Sequence, residues 1–594
     1  MSDAAPDNLP EWDLSDLYRG LDAPELSRDL ARLREAALAF AQTYRGHLHE
    51  LDGDALARAI AAYETMEEGF GRILSFAYLQ YARDMSDPAA QRFFQDMQEQ
   101  VSDITSGLIF VTLDLNRLEE ADLAAKIDAS PDLARFRPWL RDLRVFRPHQ
   151  LSDEMEQMLH EKAVAGRAAW VRLFDETMAG LRFSIRGEER TIEQALNLLT
   201  DRDASLRRDA AKSLGEGFGR NIRLMTLITN TLVKDKEIED KWRVYETPEA
   251  SRHLANQVEP EVVAALVSAV REAYPRLAHR YYRLKARWMG QERLDYWDRG
   301  APLPEAEDRL IPWDEARDIV LGAYRGFSPE MGKVAERFFA AGAGWIDAPA
   351  RPGKAPGAFA HPTVPGAHPY LLLNYLGRTR DVMTLAHELG HGVHQVLAGV
   401  QGPLMADTPL TLAETASVFG EQLTFRALLK AEKDPSQRRI LLATKIEDML
   451  NTVVRQVAFY DFERRLHDER RQGELSSERI GEHWLAVQRE SLGDAFRFDP
   501  EYQHYWCYVS HFIHAPFYVY AYAFGDCLVN ALYAVYADAA EGFAAKYLAM
   551  LRAGGTLRYP ELLAPFKLDA KDPAFWSKGL GVISDFIDQI EATF

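Results

Sequence analysis

Apolar residues recur every three to four positions along most of this chain, and that period commits it to helix. In residues 25–41, Leu26, Leu30, Leu33, Ala37 and Phe40 fall on one face, while Arg28, Asp29, Arg32 and Glu35 lie elsewhere. Similar spacing recurs through 54–84, 192–240, 260–290 and 438–470, with prolines and glycines mostly between the runs. There is no clear internal repeat and no low-complexity tract. At 594 residues the chain is long enough for more than one buried core.

One region departs from this. Residues 347–376, "DAPARPGKAPGAFAHPTVPGAHPYLLLNYL", hold six of the 28 prolines, so no helix runs through them. "GAFAHP" (357–362) and "YLLLNYL" (370–376) are short and bounded by turn residues, which predicts two strands. A small sheet thus directly precedes a histidine-bearing stretch at 384–395. Its edge is either plain structure or a place where an extended peptide pairs.

Charge excludes some partners. A formal net charge of −20 repels phosphate, which argues against nucleic acid and anionic membrane. The apolar stretch 512–537 is interrupted by His514, Pro516 and Asp526, so it reads as a helix buried in a soluble core and not as a membrane span. Two cysteines, Cys507 and Cys527, make no disulfide framework and suit a reducing compartment. The start, "MSDAAPDNLPEWDLSDLY", lacks the basic and apolar regions of a secretory signal. The expected location is cytoplasmic.

The stretch "TLAHELGHGVHQ" (384–395) carries the chemistry. Residues four apart share a helix face, so His387 and His391 can aim two imidazoles at one ion, with Glu388 beside it as a general base. Gly390 and Gly392 flank His391, which predicts close packing against another backbone. A catalytic zinc needs a third protein ligand. The close-spaced third histidine is absent, because position 397 is Leu397 and His394 comes too early; His394 reads as a packed or hydrogen-bonding residue and not as a ligand. The next candidates lie in "TLAETASVFGEQLTF" (411–425), where Leu412, Thr415, Val418 and Phe419 give helical spacing. Glu414 and Glu421 sit two turns apart on one face of it. They are either solvated or partnered, and a metal would be a partner. Asp381 reads as a helix cap or as a group orienting a ligand histidine.

A second unusual stretch, "SHFIHAPFYVYAYAFG" (510–525), holds His511, His514, Tyr518, Tyr520 and Tyr522. If helical, it puts Tyr518 and Tyr522 on one face. It is either an aromatic core helix or a source of neutral hydrogen-bond donors for a developing oxyanion.

Taken in order, "TLAHELGHGVHQ", "LAETASVFGEQL" and "HFIHAPFYVYAYAFG" resemble the oligoendopeptidase F branch of the thimet oligopeptidase family of zinc metallopeptidases. "WDLSDLY" (12–18), "GWIDAPARPGKAPGAFA" (344–360) and "LLLNYLGRTRDVMTLAHE" (371–388) extend the resemblance over most of the chain. It implies a mainly α, two-lobed zincin-like fold with a small β-sheet beside the active-site helix and a deep central channel. It implies an N-terminal helical region over 1–200 and a catalytic domain over 201–594, with the active site in 340–530. It implies one Zn2+ per chain held by His387, His391 and Glu414, Glu388 as general base, Glu421 and Asp381 behind the ligands, and His511 with Tyr522 or Tyr518 at the oxyanion. The channel implies short, unstructured peptides as substrates.

The expected reaction is therefore zinc-dependent hydrolysis of internal peptide bonds. Two rivals stand beside it. "ELGH" (388–391) also fits the E-x-x-H of di-iron bundles, with "EYQH" (501–504) as the one other such pair. The second rival is a non-catalytic peptide-binding protein on the same scaffold. Oligomeric state and cleavage preference are not encoded in these motifs.

Overall fold

The computed structural model describes residues 9–304, 310–539 and 541–593. The acidic start at residues 1–8, part of the stretch read for a leader, lies outside the described residues.

The helical periods fold as helices. The first, Pro24–Tyr44, buries Leu26, Leu30, Leu33, Ala37 and Phe40. The second, Gly53–Arg83, begins where the Asp52 carboxylate accepts the Ala55 N–H at 2.8 Å. Three longer periods are each cut once. The 192–240 run divides into Ile192–Asn197 and Ala204–Trp242, the latter capped by Asp203 through the Ser205 N–H at 2.9 Å. The 260–290 run divides into Pro260–Ala273 and Ala278–Trp288 around Pro275, which has no N–H for the helical ladder. The 438–470 run divides into Pro435–Thr452 and Val454–Arg470.

The chain packs as two compact units, each drawn from three stretches. The first takes residues 1–147, 308–431 and 535–568; the second takes 148–307, 432–534 and 569–594. This interleaving is a different description from a cut at residue 200.

The first unit holds a three-stranded sheet of β1 (Ile346–Pro349), β2 (Phe359–His361) and β3 (Tyr370–Tyr375), in the order β1-β3-β2. β2 and β3 are the two expected strands, antiparallel with Ala360 opposite Leu371. β1 was not foreseen, since its four residues carry no alternation; it runs parallel to β3. The central β3 is covered on both faces, which explains its unbroken Tyr-Leu-Leu-Leu. The Trp12 indole donates to the Leu371 carbonyl at 2.9 Å and ties the "WDLSDLY" segment to this strand.

β3 leads directly into α1 (Thr379–Ala398). Gly377, at φ +84°, turns the chain out of the strand. The Asp381 carboxylate then accepts the N–H groups of Leu376 at 2.9 Å and Arg378 at 3.0 Å. A loop returns the chain as α2 (Leu410–Ala431), packed along α1.

The second unit contains α3 (Val454–Arg470) and α4 (His511–His514), and the chain then enters α5 (Tyr520–Asp538). The stretch 510–525 is thus not one helix, contrary to the shared-face reading of Tyr518 and Tyr522. Ala515, ahead of Pro516, leaves the helical region at φ −143° and ψ 71°, as the clash with a following proline ring favours. Most of α5 is buried, from Tyr520 to Leu532. Among the described residues, no helix is long and apolar enough to cross a membrane.

Candidate metal centre

His387 and His391 lie one turn apart on α1, with their Nε2 atoms 3.1 Å from each other. Glu414 on α2 brings Oε2 to 3.4 Å from the first Nε2 and 3.6 Å from the second. A tetrahedral zinc with ligand bonds near 2.0–2.1 Å separates its ligand atoms by about 3.3 Å. The three donors therefore stand at the corners of a zinc-sized triangle. Among the described residues this is the one group of three or more candidate metal ligands whose donor atoms all lie within 4.8 Å.

The two helices can approach this closely because Gly390 faces α2. A Cβ there would sit 2.5 Å from the Ala416 carbonyl oxygen and 2.6 Å from the Ser417 Cα. Gly392 instead faces the Phe338 ring, so only one of the two glycines meets backbone. Two buried tyrosines fasten the pair: Tyr324 donates to the Ala386 carbonyl at 2.7 Å, and Tyr547 donates to the Thr415 carbonyl at 2.8 Å.

Two of the three donor residues are held by a neighbouring side chain. His387 Nδ1 is 2.6 Å from Glu421 Oε1, so the Nδ1 N–H donates to that carboxylate and Nε2 is the nitrogen that faces the triangle. Ser417 donates to Glu414 Oε2 at 2.7 Å. Sequence reasoning missed Ser417; its place three residues after Glu414 on a helix was the available signal. The Asp381 carboxylate, weighed as cap or orienting group, accepts backbone N–H groups ahead of α1. His394 is buried, which pulls its pKa down to about 4, and its backbone partner is Ala413.

The electrostatics ask for a cation. Burial opposes charge on His387, but its bond to Glu421 and the charges of Glu421, Glu414 and Glu388 outweigh this and push its pKa up to about 9. Burial, together with the neighbouring His387, keeps His391 neutral despite the attraction of Glu414, with a pKa near 4. Glu388 is only 7% exposed; burial pushes its pKa up to about 7, against the pull of His387 and a hydrogen bond from the Ala360 backbone on β2. Three carboxylates thus converge on two imidazoles, and a divalent ion bound by the triangle would answer that excess.

The second unit gathers His511, Tyr518 and Tyr522. His511 Nε2 is 3.2 Å from the Tyr522 hydroxyl. The Tyr518 ring lies 5.9 Å from the His511 ring and 5.2 Å from that of Tyr522. Burial and the nearby His514 lower the His511 pKa, which favours the neutral imidazole. The "EYQH" pair supplies no second metal site: Glu501 takes the Tyr296 hydroxyl at 2.9 Å and the Lys212 ammonium at 2.5 Å.

The profile of "Peptidase family M3" matches residues 331–582, which include every residue of the triangle. That of "Oligopeptidase F" matches residues 114–183, and the two together span more than half of the chain. The chain belongs to peptidase family M3. It is a metalloendopeptidase of the oligoendopeptidase F type. This M3 peptidase is 24% identical to Oligopeptidase PepF of Bacillus subtilis (strain 168), over 98% of its own length and 86% of the relative's. It is 23% identical to a plasmid-borne oligoendopeptidase F of Lactococcus lactis subsp. cremoris, over 98% and 97% of the two chains. Its fold matches a protein from Chlamydophila abortus with a TM-score of 0.87 at 21% identity, covering 98% of both chains. It also matches the oligoendopeptidase-F of Enterococcus faecium with a TM-score of 0.71 at 21% identity, over 96% of this chain and 98% of that one. At such identities the solved structures speak for the M3 fold alone.

Proposed function

We propose that this peptidase uses one zinc ion, held by His387, His391 and Glu414, to hydrolyse internal bonds of short unstructured peptides. The observation that carries the reading is the spacing of the three donor atoms, 3.1, 3.4 and 3.6 Å, close to the edge of a zinc tetrahedron. Zinc bound there supplies a Lewis acid that acidifies water and polarises a peptide carbonyl.

The chain's own residues do the rest. Glu388 takes a proton from the attacking water and returns it to the departing amine, and its raised pKa suits a group that must do both near neutral pH. Glu421 holds the His387 ring in the tautomer that leaves Nε2 free. His511 and Tyr522, with Tyr518 as the alternative phenol, donate hydrogen bonds to the carbonyl oxygen as its charge grows. We assign residues 1–200 to an N-terminal region and 201–594 to the catalytic domain, a division supported by where the two profiles match. A net charge of −20 supports peptides over nucleic acid as partners. The two buried free cysteines support a cytoplasmic location.

The test joins composition to activity. Elemental analysis should find one zinc per chain, and a quenched fluorescent peptide should be cut until chelator is added and again after zinc is restored. Glu414→Ala should lose zinc; a variant that keeps it in full occupancy sinks the ligand set. Glu388→Gln should keep zinc and lose roughly 10²–10⁴-fold in kcat; two irons per chain would instead favour a di-iron enzyme.

A further inference from the structure

The link between α4 and α5 takes a path its sequence does not favour. Phe517 sits at φ +59°, a left-handed conformation that is costly for a bulky side chain. Its ring is fully buried, 6.0 Å from the Tyr460 ring and 4.7 Å from the His467 ring. Its N–H donates to Glu463 Oε1 at 2.8 Å. Glu463 stands on α3 between Tyr460 and His467, on the same helix face, and is only 1% exposed.

The second oxygen of Glu463, Oε2, is buried and has no hydrogen-bond partner among the described residues. A carboxyl group taken from water with one bond to show for it is a net cost to the fold. Packing alone would favour an apolar residue there. What the carboxyl secures is the Phe517 N–H at the bend. Other side chains hold the backbone on either side. The Arg252 Nε donates to the Pro516 carbonyl at 3.3 Å, with its guanidinium 5.8 Å from the centre of the Tyr518 ring. Arg167 donates to the carbonyls of Ile513 at 2.9 Å and His514 at 3.1 Å. Asn256 donates to the Tyr520 hydroxyl at 2.9 Å. The backbone between His511 and Tyr522 is thus pinned from several other helices, and Glu463 is the pin at its tightest turn.

We propose that Glu463 is a positioning residue for peptide hydrolysis: by holding the Phe517 N–H it fixes the bend that sets His511, Tyr518 and Tyr522 in their mutual geometry. This rests on the role given above to His511 and Tyr522. A misplacement of about 1 Å in such donors costs on the order of 10²-fold in rate.

Steady-state kinetics on the zinc-loaded full chain test it, with Glu463→Gln, Glu463→Leu, His511→Ala and the double variant of the last two. Glu463→Gln keeps an acceptor for the Phe517 N–H and should stay within about threefold of the parent kcat. Glu463→Leu should lose about 10–100-fold in kcat with KM and zinc content unchanged, and should speed amide hydrogen exchange in peptides covering 511–522. Glu463→Asp, one methylene too short, gives the same reading if the leucine variant does not fold. The double variant should lose less than the product of the two single losses, because the two act through one unit. Losses that multiply, a fall in Glu463→Gln as deep as in Glu463→Leu, or a change confined to KM would overturn the proposal. Full kcat in His511→Ala would sink the role of His511, whereas unchanged exchange at 511–522 in Glu463→Leu would sink that of Glu463.

Discussion

His387 and Glu421 are joined by a 2.6 Å hydrogen bond from the ring N–H to the carboxylate, across two helices. That bond fixes which nitrogen of His387 is free, and it leaves Glu414 as the acid facing both Nε2 atoms. Removing it should therefore weaken the metal without removing a ligand. Glu421→Ala is expected to lower zinc affinity by roughly 10–100-fold. Competition with a chromophoric chelator measures this, and parental affinity would refute it.

Gly390→Ala places a methyl group against the Ala416 carbonyl and the Ser417 Cα. Both are backbone, so the helices must separate. A loss of about 1–3 kcal/mol of stability is expected, as for overpacking elsewhere. Zinc retention should fall with it, because Glu414 rides on the displaced helix; thermal unfolding with and without zinc reads both effects.

Asp381→Ala removes the acceptor for two backbone N–H groups at the start of α1. The expected cost is about 1 kcal/mol in unfolding free energy. Zinc affinity should stay at the parent value, since Asp381 serves backbone groups and not a ligand ring. A tenfold loss of zinc affinity would show that it orients the metal site after all.

His253 ties pH to stability. Burial, reinforced by the Arg464 charge, lowers its pKa from 6.5 to about 4 in the folded protein. A depressed pKa contributes stability that is present above the unfolded value and is lost as pH falls through the folded one. The window is thus pH 6.5 down to about 4. Within it, the linkage is at most about 1.4 kcal/mol per pH unit. His253→Gln should destabilise the protein most at pH 7 and progressively less toward pH 4. Denaturant unfolding of both proteins at several pH values checks this; a constant difference would contradict it.

Much of this was legible in the chain. The i, i+4 spacing of His387 and His391 is a property of one helix, so both imidazoles share a face whatever surrounds them. Proline density announced the break in helix before α1, and two of the three strands there could be read from their flanking turns. Ser417 apart, the misses were non-local or hidden by a continuous apolar pattern. Strand β1 carries no alternation. The bend at 515–519 depends on Pro516 and on a carboxyl from α3, 54 residues earlier in the chain. Tyr324 and Tyr547 act through partners that no period reveals.

By itself the sequence determined that the chain is mainly helical, that two histidines and a glutamate stand on one turn, and that a second helix carries two acids on one face. Only the tertiary structure decided which acid does what: Glu414 at the two Nε2 atoms, Glu421 at Nδ1. The reason is physical. A helical period fixes the direction of side chains about one axis, but the crossing and offset of two axes are set by the groups packed between them, here Gly390 against the backbone of residues 416 and 417.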